Sequence, residues 1–92
     1  MKTRITEKDL HKLIDHLNNI TGNPLDTYGV NGANVGNYHL DSAYGGHALS
    51  QIGKNGGVIK PLGDGFYTKR ELYDRIRAYI AGLFTQPNHE RI

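Results

Sequence analysis

His39, Asp41 and Ser50 are the residue types in this chain best suited to chemistry. An imidazole, a carboxylate and a hydroxyl on one surface can form a base-activated nucleophile. Residues 37–44 alternate as a strand does, with His39, Asp41 and Ala43 on one face and Tyr38, Leu40, Ser42 and Tyr44 on the other. Gly45-Gly46 suits the positive φ angles of a two-residue hairpin turn, and His47-Ala-Leu-Ser-Gln-Ile52 returns as the second strand. That register sets Asp41 opposite Ser50, Ser42 opposite Leu49, Tyr44 opposite His47 and His39 opposite Ile52. A helix over residues 47–52 is the competing reading, because Ala48, Leu49 and Ile52 also fit helical spacing. Catalysis is poorly served by this spacing. Strand residues i and i+2 lie about 7 Å apart, whereas a catalytic hydrogen bond spans about 2.6–3.2 Å. The polar face of a half-buried hairpin is the preferred reading.

Other chemistry is weighed the same way. His11 and His16 are five apart on a helical stretch and face different directions, so they cannot chelate as an i,i+4 pair does. No metal site and no cofactor are expected. The glycine clusters at 45–46 and 53–57 read first as tight turns. The start of the last helix, Thr68 with Lys69 and Arg70, combines free N–H groups with basic side chains and can hold a phosphate, although its plain reading is a capped helix end. Six tyrosines in so short a chain include more than a thin core needs, and an exposed tyrosine can stack on a base or anchor an interface. Tyr38 and Tyr44 share the face of Leu40, so their plain role is packing on the helices. The expected ligand-binding set is Tyr38, His39, Asp41, Tyr44, His47, Lys69 and Arg70.

Two helices must position this midsection. Thr6 is a good N-cap with Asp9 at N3, Ile5 and Leu10 form a staple pair, and Leu10, Leu13, Ile14, Leu17 and Ile20 make an apolar stripe, predicting a helix over about 7–20. Gly22 and Pro24 end it. Residues 21–36 read as a loop with one short extended piece and a strong Asn31-Gly32 turn. The hairpin region spans about 37–60, with Val58-Ile59 a short strand before Pro61. Thr68-Lys69-Arg70-Glu71 is a capping box opening a helix over about 69–84, whose apolar face carries Leu72, Tyr73, Ile76, Tyr79, Ile80, Leu83 and Phe84. Pro87 should end it, leaving 87–92 as a flexible tail. The fold class is α+β, with two helices packed on a small antiparallel β-hairpin or sheet in one domain spanning 1–92.

Composition sets limits. At 92 residues the core is thin, because such a domain buries only about 60–65% of its unfolded surface, and oligomerisation would add burial. A homo-oligomer is therefore expected. The absence of cysteine excludes disulfides and thiolate zinc sites. No apolar run approaches the roughly 20 residues of a membrane span, and Met1-Lys2-Thr3-Arg4 leads into a charged segment, so a cytoplasmic protein away from membranes is expected. The net charge of +2 is mild and its basic residues are dispersed, so nucleic acid is not the expected partner.

The blocks Asn34-Val-Gly-Asn-Tyr-His-Leu-Asp-Ser-Ala-Tyr-Gly-Gly46 and Thr68-Lys-Arg-Glu-Leu-Tyr-Asp74, with Asn18-Asn-Ile-Thr-Gly-Asn-Pro24 before them, resemble a widespread family of short uncharacterised proteins from tailed phages and prophages. The likeness runs over about residues 5–84. It implies an accessory protein made during infection, in the host cell, of the kind that counters host defences. No catalytic residue follows from it. The leading expectation is a non-enzymatic protein that binds and sequesters a nucleotide-type signal ligand. An inhibitor docking on a host defence protein is the close alternative. An enzyme using His39 and Asp41, and a nucleic-acid-binding regulator using Lys69, Arg70, Arg75 and Arg77, stand behind them.

Overall fold

The computed structural model describes residues 4–90, and their side chains through Leu83. The first helix, α1, spans Glu7–Thr21 and opens on the expected capping box. The Asp9 N–H donates to Thr6 Oγ1 at 3.2 Å, and the Thr6 N–H donates to Asp9 Oδ2 at 2.9 Å. Ile5 and Leu10 are both buried, as a staple requires. The helix ends at Gly22 in the left-handed conformation, whose N–H reaches the Asn18 and Asn19 carbonyls.

The following stretch holds more order than expected. Two short strands, β1 (Tyr28–Gly29) and β2 (Gly32–Ala33), pair antiparallel about a turn at Val30 and Asn31. Asparagine side chains brace this segment. Asn34 Nδ2 donates to the Asp26 carbonyl at 2.8 Å, and Asn37 Nδ2 donates to the Pro24 and Leu25 carbonyls at 2.8 and 3.2 Å.

A three-stranded antiparallel sheet follows in the order β3-β4-β5, with β3 Tyr38–Ala43, β4 Gly46–Ile52 and β5 Val58–Ile59. Residues 47–52 are thus strand and not helix. The hairpin register differs from the expected one by two residues. Leu40 faces Leu49, His39 faces Ser50, Asp41 faces Ala48, Ser42 faces His47 and Ala43 faces Gly46. The turn is Tyr44-Gly45, with φ of 55° and 76°, a type I′ pair. Gly46 is instead the first residue of β4, paired with Ala43, where a Cβ would lie 2.9 Å from Phe66 Cβ. Tyr44 accepts a left-handed backbone, at a cost of about 1 kcal/mol. A slip of two residues keeps every side chain on its expected face. Tyr44 itself leaves the helix-packed face, is almost fully exposed, and meets Phe66 edge to face at 5.8 Å.

The second helix, α2, spans Lys69–Glu90. Thr68 Oγ1 accepts the Glu71 N–H at 3.1 Å, and the Glu71 carboxylate lies 3.8 Å from Arg75. The helix continues through Pro87 to Glu90, correcting the expected stop there. No described side chain explains this continuation. The end of the expected tail, Arg91 and Ile92, lies outside the described residues.

Helix α1 packs on α2 and β3, and α2 packs on β4. The two helices therefore cover one sheet face, enclosing Leu10, Ile14, Leu17, Tyr38, Leu49, Leu72 and Ile76 with Ile5. The expected α+β class is the observed one. A buried polar residue completes this core. Asn18, with no exposed surface, donates from Nδ2 to the Tyr38 carbonyl at 2.9 Å and accepts the Tyr38 N–H at Oδ1 at 2.8 Å. Replacing it leaves two buried backbone groups unpaired at about 1–3 kcal/mol each. Asn18→Ala should lower the unfolding free energy by about 2–4 kcal/mol in urea titrations. A loss below about 1 kcal/mol would contradict this role.

Candidate functional site

Because β3 is an edge strand, its outer side faces the gap between α1 and the 25–28 segment. A cleft of about 400 Å³ opens there. Helix α1 contributes His11, Ile14 and Asp15, the loop contributes Leu25, Thr27 and Tyr28, and β3 contributes Tyr38, His39 and Leu40. Three consecutive strand residues line it although their side chains alternate between faces, so the cleft runs along the strand edge and not over one face. Its volume falls in the range of small-molecule sites. Ile14, Leu25 and Leu40 give apolar walls. His11, Asp15, Thr27 and His39 give polar groups, and the Tyr28 ring is 72% exposed beside them. Among the described residues no lysine or arginine lines it.

The seven residues expected to bind ligand do not form one site. Tyr38 and His39 reach the cleft. Tyr38 is a core residue. Its hydroxyl is 2.9 Å from that of Tyr79, and burial pushes its pKa well above the usual tyrosine range, so its ring is held and not free to stack. His39 Nδ1 lies 3.2 Å from Asn37 Oδ1, and burial holds the imidazole below its ordinary pKa, with Lys60 adding to the shift and Asp41 opposing it. The ring is therefore neutral at pH 7.

Asp41 shares the sheet face away from the helices with His39 but turns to Lys60. Its Oδ2 accepts from Lys60 Nζ at 2.9 Å, which holds the carboxyl below its ordinary pKa. The same ammonium lies 4.9 Å from the Phe66 ring centre. Tyr44, His47, Lys69 and Arg70 gather at the turn end of the hairpin, where the His47 backbone bonds both ways with Tyr67 at 2.8 and 2.7 Å, immediately before α2. His47 Nδ1 is 2.9 Å from Ser42 Oγ. Lys69 is exposed, and Arg70 lies 3.9 Å from Asp74.

The catalytic arrangement is not assembled. Ser50 lies across from His39, not from Asp41 as expected, but its Oγ is fully buried without a hydrogen-bond partner. His39 turns to Asn37 and Asp41 to Lys60. Among the described residues no group of three or more His, Asp or Glu side chains is placed to hold a metal ion. Nor is any helix among them long and apolar enough to cross a membrane.

Sequence reasoning missed His11, Asp15, Leu25, Thr27 and Tyr28. The first two are an i,i+4 pair beside Ile14, at the border of the apolar stripe of α1, and that pairing was the available signal. The loop residues carry no periodic signal.

The chain matches no protein-family model, and no curated protein or solved structure shows a significant similarity to it. The geometry therefore carries the functional reading.

Two measurements check this site. Ser50→Ala removes a buried hydroxyl that lacks a partner, and should leave stability unchanged or raise it by up to about 1 kcal/mol. A clear loss in thermal unfolding would contradict that. Lys60→Met should raise the pKa of both Asp41 and His39 in NMR titrations, since Lys60 lowers both. The stability contribution of Asp41 is present above its unfolded pKa and lost as pH falls through its depressed folded value. That of His39 is present above its ordinary value near 6.5 and is lost below it, because the folded state disfavours the protonated ring. Both make the wild type less stable in acid, and unchanged pKa values in Lys60→Met would contradict the cluster.

Proposed function

We propose that the chain is a small non-enzymatic phage accessory protein of the host cytoplasm that sequesters a nucleotide-type ligand in the cleft along β3. The observation that carries this reading is the cleft itself: about 400 Å³, apolar walls, convergent polar groups and an exposed tyrosine ring at its side. The lack of lysine and arginine among the described residues of the lining favours the base or nucleoside end of such a ligand inside, with phosphates directed to solvent. The unassembled Ser50, His39 and Asp41 favour holding over turnover. A second reading, docking on a host defence protein, is favoured by the β1–β2 hairpin, where Val30 is fully exposed and Leu25, Tyr28 and Val35 are more than half exposed.

Calorimetry against cyclic and ADP-ribose-type nucleotides tests the first reading. Binding is expected with at least one of them, without product formation on long incubation. Tyr28→Ala should weaken it about tenfold or more, the usual cost of a lost stacking ring. Silence across the whole panel, or appearance of a product, would contradict it.

A further inference from the structure

The free edge of β3 contains its own model of a ligand contact. In an antiparallel hairpin, backbone N–H and C=O groups point alternately toward the partner strand and away from it. The Asn37 carbonyl points to β4 and accepts the Ile52 N–H at 2.9 Å, and β4 turns the His47 backbone outward to Tyr67, which fixes the phase. Odd-numbered residues of β3 therefore bond to β4, and Tyr38, Leu40 and Ser42 direct their N–H and C=O to the open edge. At Tyr38 that edge is filled. The Asn18 carboxamide, a planar group with a donor beside an acceptor, pairs both ways with it at 2.9 and 2.8 Å. Two residues along, about 7 Å away, Leu40 offers the same pair of groups, and Leu40 lines the cleft.

We propose that the Leu40 backbone reads the planar edge of the bound molecule: its N–H donates to a ring acceptor or carbonyl, and its C=O accepts from the adjacent N–H, as Asn18 does at Tyr38. The inference rests on the reading that the cleft binds a nucleotide-type ligand, and it names the part recognised. The class is a lactam or amidine edge, which every common nucleobase carries. Ile14 supplies an apolar wall to the plane. Recognition through the backbone explains why no convergent set of side chains was visible in the sequence. The neutral His39 and the absence of Lys and Arg fit an uncharged heterocycle.

Proline substitution tests this without cutting the ladder, because the N–H removed at Leu40 points away from β4, the setting in which an edge strand tolerates proline. Labelled protein is titrated with adenosine, guanosine, cytidine and uridine at millimolar concentration. With at least one, the Leu40 amide resonance should move downfield and gain protection from hydrogen exchange. Leu40→Pro should weaken that binding about tenfold or more. Ser42→Pro, the same change at the next edge position outside the cleft lining, should leave it unaltered. On the wild type, N6,N6-dimethyladenosine and 3-methyluridine, which lack the donor of that edge, should bind at least tenfold more weakly than their parents, and this arm stands even if Leu40→Pro fails to fold. Equal binding of parent and methylated nucleosides, or a Leu40 amide that does not move, overturns the edge contact while nucleotide binding itself survives. No binding by any nucleoside, with silent calorimetry, overturns both.

Discussion

The Asn18 side chain does the hydrogen bonding of a missing strand. Sheet edges leave backbone groups unpaired, and a helix packed over an edge would bury them at a cost of a few kcal/mol. The carboxamide resolves this at Tyr38 by donating and accepting at once. The same pair of bonds pins the C-terminal half of α1 to the start of β3. From that point the earlier turns of the helix border the strand edge, and the gap between them is the cleft. Its other wall is set by Asn37, which is fully buried and tethers the Pro24–Leu25 backbone to the same end of β3.

The opposite sheet face is organised by charge and aromatic contact. Lys60 joins Asp41 to Phe66, and Phe66 abuts Gly46 and receives the edge of Tyr44. This face holds the residue types that look catalytic in the sequence, yet each has a structural partner, apart from Ser50, which is sealed without one. The molecule separates a bonded polar face from an open strand edge, and the open edge is where a ligand has room.

Helices, caps and the hairpin's faces were legible because they depend on local periodicity and on capping residues such as Thr6 and Asp9. The register was not. Gly45-Gly46 is the better local turn, yet the chain turns at Tyr44-Gly45 and keeps Gly46 in β4, where it packs against Phe66, twenty residues later. The β1–β2 hairpin was hidden because its strands are two residues each, too short for any period to register. The site was half legible. Tyr38 and His39 were named for their side chains and do reach the cleft, while Lys69 and Arg70 were named for charge and sit at the other end of the hairpin. Asn18 was read as ordinary helix, since nothing local distinguishes a buried bridging asparagine from a solvated one. Leu40 was read as packing, since a backbone contact leaves no mark on residue type.

These features support the proposal that the protein holds a small planar molecule beside an exposed strand edge and leaves it unchanged. Mass spectrometry of the small molecules released by heat from protein purified out of the cells that naturally make it tests this most directly. One intact nucleotide-type compound in near-stoichiometric amount is the expected result. Protein that releases none, or that releases a cleaved or transferred product, would contradict it.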